Sequence, residues 1–131
     1  MDKLLAKVKT KKVIKKGNII LDKTIDFSIS IITYCELLEQ KKQYVIARQL
    51  LKSATSIGAN MHESQNAESK ADFIHKVKIA AKEAEETKYW LTLCKRSENY
   101  PFDLKLEKQI IEISLILYKI LSSSKKSLKT K

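Results

Sequence analysis

Turn-forming residues are almost missing from this chain, which has two glycines and one proline in 131 residues. β-Sandwiches and barrels close their many tight turns with those residues, so strand-rich architectures are excluded. Cysteine is equally sparse: Cys35 and Cys94 stand alone, with no Cys-x-x-Cys pair and no zinc-ligand spacing. Two isolated cysteines of a reducing compartment are expected as small buried hydrophobes, a disulfide between them being the geometric alternative. No apolar run approaches the roughly 20 residues that cross a bilayer. The opening Met1-Asp2-Lys3-Leu4-Leu5-Ala6-Lys7 also lacks a secretory core. The expectation is one soluble, cytoplasmic, all-α domain without a membrane partner.

Positive charge is what the chain has in excess, with 26 basic against 15 acidic residues and a net +11. Residues 1–18 carry Lys3, Lys7, Lys9, Lys11, Lys12, Lys15 and Lys16 against one Asp, a balance of +6. Residues 119–131 carry Lys119, Lys125, Lys126, Lys129 and Lys131 against no acid, a balance of +5. Residues 19–118 hold 14 basic and 14 acidic residues and sum to zero. Two readings are open. The lysine-rich ends grip phosphates without sequence preference and with salt-dependent affinity, or they only keep the chain ends solvated. Lys outnumbers Arg 24 to 2, which leaves few planar forks for bidentate guanine contacts, so sequence-specific readout is not expected.

Between the ends, apolar spacing is helical in four stretches. The first, about 22–40, puts Ile25, Ser28, Ile32 and Cys35 on one stripe, widened by Phe27, Ile29 and Ile31, with Asp22 or Thr24 as its cap. The second, about 44–67, runs through Ile46, Leu50, Ser53 and Ile57 beside Leu51, Ala54, Gly58 and Met61. Glycine inside a helix costs ~1 kcal/mol relative to alanine, so Gly58 points to close approach of a neighbouring helix. The third opens on Ser69-Lys70-Ala71-Asp72, a capping box with Asp in place of Glu. It then steps 4-3-4-3 through Phe73, Val77, Ala80, Ala84, Thr87, Leu91 and Cys94.

The fourth opens at Tyr100-Pro101-Phe102-Asp103, with proline in the first turn. It repeats the spacing at Leu106, Ile110, Ile113, Leu117 and Ile120, and is expected to fray at Ser122-Ser123-Ser124-Lys125-Lys126. A period of about 3.5 residues marks the seam of a left-handed bundle. Four such helices on short connections predict an antiparallel up-down four-helix bundle over residues 19–121. A basic extension, 1–18, precedes it, with Leu4, Leu5, Val8, Val13 and Ile14 able to dock on it; a basic tail, 122–131, follows. Ile74, Ala81 and Tyr89 beside the main stripe of the third helix leave more apolar surface than one bundle buries, so self-association is expected.

Chemistry is harder to find. A di-iron carboxylate bundle needs a Glu from each of two helices and Glu-x-x-His from each of two others. Asp72-Phe73-Ile74-His75 is a distant imitation, Glu83-Ala84-Glu85-Glu86 lacks the histidine, and His62 and His75 are the only histidines. No phosphate-cradling glycine loop and no nucleophile elbow is present. No catalytic residue, metal or cofactor is therefore expected. Ser53, Asn60, Glu63, Lys82 and Glu86 read instead as a polar network that fixes register at a helix or subunit contact. Arg48 and Lys52 of the second helix, with Lys76, Lys78, Lys82, Lys88, Lys95 and Arg96 of the third, are candidates for a basic face of the bundle.

Two blocks carry a resemblance. Gln49-Leu50-Leu51-Lys52-Ser53-Ala54-Thr55-Ser56-Ile57-Gly58-Ala59-Asn60-Met61-His62-Glu63-Ser64 resembles the signature of the four-helix-bundle family encoded in intervening sequences of bacterial 23S rRNA genes. Residues 72–91, from Asp72-Phe73-Ile74-His75 through Ala80-Ala81-Lys82-Glu83-Ala84 to Tyr89-Trp90-Leu91, match its second block, and Asn18-Ile19-Ile20-Leu21-Asp22-Lys23-Thr24 is similar to its lead-in. The resemblance implies a homopentameric barrel of up-down bundles with no catalytic residues. That family also looks related to accessory proteins of diversity-generating retroelements, basic pentamers that bind nucleic acid and a reverse transcriptase. This chain departs from the pattern at Lys52, where Arg is common, at Met61-His62, and in its lysine-rich extension; its neutral 19–118 body lacks the strongly basic character of the retroelement proteins. Two functions follow as expectations. One is a non-enzymatic oligomer that binds nucleic acid, RNA before DNA, through its lysines. The other is an oligomeric adaptor for a protein such as a reverse transcriptase.

Overall fold

The computed structural model describes residues 18–129, with side chains through Lys126. Lys3, Lys7, Lys9, Lys11, Lys12, Lys15, Lys16 and Lys131, and the docking expected of Leu4, Leu5, Val8, Val13 and Ile14, lie outside the described residues, as does the side chain of Lys129. The described residues form four helices and no strand: α1 (Ile19–Gln40), α2 (Tyr44–Ser64), α3 (Lys70–Arg96) and α4 (Leu104–Lys129). Each helix packs on its neighbours in chain order and α1 closes against α4, so the four stand around one core.

Local chemistry explains where the helices start and stop. Lys42 takes the left-handed conformation, φ 64°, and the amides of Lys42 and Gln43 reach back to Glu39 O and Leu38 O, each at 2.9 Å. That is a Schellman closure with lysine where glycine is usual, and it turns α1 into α2 within three residues. Ser69 caps α3 as its pattern predicts, its Oγ accepting from the Asp72 amide at 3.0 Å. Asp72 Oδ2 returns the bond to the Glu68 amide at 3.1 Å, one residue earlier than a standard box. Asp103, whose Oδ1 accepts from the Lys105 amide at 2.9 Å, starts α4. Pro101 precedes the helix, its carbonyl accepting from the Tyr34 hydroxyl at 2.5 Å.

The stripes of α2, α3 and α4 are buried over most of their length as their spacing predicts: Leu50, Ser53 and Ile57; Val77, Ala80, Ala84, Thr87, Leu91 and Cys94; Leu106, Ile110, Ile113 and Leu117, while Ile46, Phe73 and Ile120 at the ends of the expected stripes are only half-buried against the core. Gly58 is a close approach as well, since a Cβ built there would stand 3.2 Å from both Cβ and Oγ1 of Thr24 on α1.

Three expectations need correction. The buried face of α1 is Ile20, Thr24, Phe27, Ile31, Tyr34 and Leu38, about 100° around the helix from the expected stripe. Ile32 is exposed, and of the expected four only Cys35 is buried. Apolar residues surround much of α1, so spacing alone does not choose a face; the neighbouring helices do. Neither Asp22 nor Thr24 caps this helix, which follows directly on Asn18, and Thr24 Oγ1 instead donates to Leu21 O at 2.9 Å inside the contact with Gly58. In α4, the helix does not stop at the serine run but continues to Lys129, and Ser124 is buried.

Candidate nucleic-acid interface

The register between α1 and α4 decides where the lysines gather. Lys23 Nζ meets Glu112 Oε1 at 2.6 Å, and Tyr34 bonds the Pro101 carbonyl and stacks edge-on against Phe102. Both pairings hold one antiparallel register, which sets Asn18 level with Leu117. From there α4 runs twelve residues further to Lys129, ~18 Å at 1.5 Å per residue. Residues before 18 and after 129 are thus joined to the same pole of the bundle, where the exposed Lys119, Lys125 and Lys126 also sit.

The body behaves differently. Three members of the expected basic face are held by carboxylates: Lys76 by Glu63 at 3.2 Å, Lys88 by Glu85 at 3.2 Å and Lys95 by Glu107 at 2.9 Å. Arg48, Lys52, Lys78 and Lys82 are exposed and form no ion pair among the described residues. Lys52 and Lys82 nevertheless act on Glu83. Its carboxyl is pushed above the usual range by burial and by Glu86, and the two lysines pull it part of the way back. The surface between α2 and α3 is therefore mixed in sign, a poor clamp for phosphate.

The expected polar network is not brought together as one unit. Ser53 Oγ and Thr87 Oγ1 lie 2.9 Å apart in the core between α2 and α3, a buried polar contact between the two helices. Asn60 donates to Ser56 O on its own helix at 2.9 Å, Glu63 holds Lys76, and Lys82 and Glu86 are exposed. The cysteines are free thiols and buried, as their apolar positions predict. Cys35 Sγ donates to Ala47 O at 3.3 Å. Burial first, then the neighbouring Cys94, pushes the Cys35 thiol up to about 12, and burial raises Cys94 too. Neither is a nucleophile at neutral pH.

Among the described residues, no three of His, Cys, Asp and Glu gather around a point that a metal could occupy, and no helix is long and apolar enough to cross a membrane. A feature absent from the expectations is an outward apolar stripe on α4, formed by Leu104, Ile111, Leu115 and Tyr118. Its signal was present in the sequence as a second 7-4-3 series running beside the core series.

Comparison with known proteins gives a consistent result. None of the curated proteins compared with the chain matches it. A solved structure described as a protein of unknown function from the S23 ribosomal protein family of Bacteroides thetaiotaomicron VPI-5482 is similar, at 40% sequence identity and a TM-score of 0.74. The similarity covers 98% of that chain but 79% of this one, so about a fifth of this chain has no counterpart there. The family model described as 23S rRNA-intervening sequence protein matches residues 16–119, which leaves ten of the twelve lysines at 3–16 and 119–131 outside the match. With that match over most of its length, a four-helix body and a solved relative of the same fold, the chain belongs to the 23S rRNA-intervening sequence protein family.

Proposed function

We propose that this protein is a non-enzymatic oligomer of the cytoplasm that binds structured RNA through the phosphate backbone, using the lysines attached to one pole of its bundle. One observation carries the reading: a neutral body with both of its surplus-charge segments joined to the same pole. Lysine is a strongly hydrated point charge, suited to releasing counterions from a polyanion rather than to reading base edges. A homopentamer, which the family resemblance implies, multiplies that pole fivefold and converts weak contacts into avidity. DNA is the lesser partner in this reading. The protein has no catalytic step, cofactor or metal to supply.

The test is RNA binding titrated over salt. One protein is unchanged; the other has glutamine at Lys3, Lys7, Lys9, Lys11, Lys12, Lys15 and Lys16 and at Lys125, Lys126, Lys129 and Lys131. Substitution is preferable to truncation because Ser124 is part of the packed helix. The expected result is a steep fall of log affinity with log salt for the unchanged protein and a shallow slope for the variant. Equal slopes refute the polar-lysine mechanism, and no binding at low salt refutes RNA binding. A second reading, an adaptor for a protein such as a reverse transcriptase, is supported by the exposed apolar stripe of α4, and recovery of a protein partner after nuclease treatment tests it.

A further inference from the structure

Charge is shared unevenly among the four helices. By sequence α1 carries a net −3, whereas α2, α3 and α4 carry +1, +3 and +4. The acids of α1 also fall on one line. Asp22, Asp26, Ile29, Thr33, Glu36 and Gln40 step 4-3-4-3-4, which holds them within about 80° of one another. That side of the helix is opposite the buried Thr24, Ile31 and Leu38. No base interrupts the line, and its three carboxylates form no ion pair among the described residues. Lys23, the one base of α1, is held by Glu112 of α4. Ile29, 57% exposed, and Leu37, 39% exposed, give the line an apolar footing. Toward the end of α1, Thr33, Glu36, Leu37 and Gln40 join Asp103 around an open cleft of about 370 Å³.

We infer that residues 1–17 fold back along this face of α1 in the same chain, their lysines meeting its carboxylates. The segment is joined to the described structure at Asn18, directly before α1, so it is tethered at one end of the acidic line. It carries seven lysines against one acid, the opposite sign to the helix it adjoins. The other helix beside that end, α4, is basic and repels it. Reversal needs a sharp turn next to Asn18, and Gly17, one of two glycines in the chain, stands there. Roughly eleven extended residues cover ~36 Å, and α1 is ~33 Å long, so the segment reaches the Asp103 cleft with residues to spare. Its pattern fits a contact with one apolar and one charged edge. Lys3, Lys7, Lys9 and Lys11 alternate with Leu4, Ala6, Val8 and Thr10, Leu5 being the exception. Single exposed ion pairs are weak, but a short tether holds the partners at an effective concentration on the order of millimolar, so several together suffice. The inference stands apart from the RNA reading, because it places the segment when no polyanion is present.

The test uses the full chain at low salt without RNA. Carbodiimide joins a lysine to a carboxylate where the two touch, and mass spectrometry locates the joined pair. Protein grown on heavy nitrogen is refolded together with unlabelled protein, so same-chain and between-chain pairs differ in mass. The expected pairs join lysines of residues 3–16 to Asp22, Asp26, Glu36 or Asp103 within one chain. Pairs of mixed isotope mean that the segment rests on a second copy, and they overturn the assignment. Pairs spread evenly over Glu63, Glu68 and Glu98 as well overturn the docking face. Trypsin gives an independent readout in a double variant, Asp26→Asn with Glu36→Gln; both positions are exposed, and circular dichroism checks helix content. Asp22 is left in place because it sits in the first turn of the helix. Cleavage after Lys7, Lys9 and Lys11 is expected to be severalfold faster in the variant than in the unchanged protein, since it follows the undocked population. Cleavage after Lys129 is expected to be the same in both. The variant is also expected to lose the cross-link to the untouched Asp103. Equal cleavage rates at the first three lysines, or an Asp103 cross-link at full yield, overturn docking along α1.

Discussion

Cys35 illustrates how one side chain ties sequence, packing and pH together. Its Sγ donates to the Ala47 carbonyl across the α1–α2 contact, and burial raises its thiol from the usual 9.0 to about 12. A raised acid holds its proton in the folded state and releases it more readily when unfolded. The stabilisation is therefore complete below pH 9 and is lost as pH rises through about 12. Cys35→Ala removes this dependence at the cost of a small cavity. Its urea midpoint is expected to be lower than that of the unchanged protein near neutrality, with the gap narrowing above pH 9. A gap that stays constant through alkaline pH sinks the argument. Ser53 and Thr87 make a different point at the same scale. Both were legible as small polar residues on buried stripes, but their meeting at 2.9 Å depends on the register between two helices. A single sequence holds no record of that register, so the expected network named Ser53 without its true partner.

At the scale of the element, legibility depended on contrast. α2, α3 and α4 alternate apolar stripes with charged faces, so their spacing named the core correctly. α1 carries Ile20, Leu21, Ile25, Phe27, Ile29, Ile31 and Ile32 around most of its circumference, and the stripe chosen by spacing proved to lie about 100° from the buried face. The end of α4 was misjudged for a related reason. Ser122-Ser123-Ser124 has modest helix propensity, yet α3 extends far enough along α4 for tertiary contact to outweigh it, and Ser124 is 6% exposed. Ending the chain after Leu121 is thus expected to lower thermal stability, whereas ending it after Lys129 is expected to leave stability unchanged. Thermal unfolding followed by circular dichroism measures both. Equal midpoints for the two truncations would mean that the last two turns of α4 contribute nothing to folding.

For the molecule as a whole, two forces are assigned to two regions, and salt separates them. Under the proposed oligomeric reading, contacts between copies would use exposed apolar side chains such as Leu115 and Tyr118 of α4, which ions screen little and excluded salts such as sulfate strengthen. The proposed RNA binding through lysines at the pole would be a counterion-release equilibrium that weakens steeply as salt rises. The body between them has no net charge over residues 19–118, so repulsion between copies is confined to their lysine-rich ends, and salt weakens it. Sedimentation of the unchanged protein is accordingly expected to show one multimer at low salt and at about 0.5 M salt, where the Debye length is only ~4–5 Å. RNA affinity over the same range falls by orders of magnitude. A multimer that dissociates in step with the loss of RNA would place the lysines, and not exposed apolar side chains, in the contacts between copies.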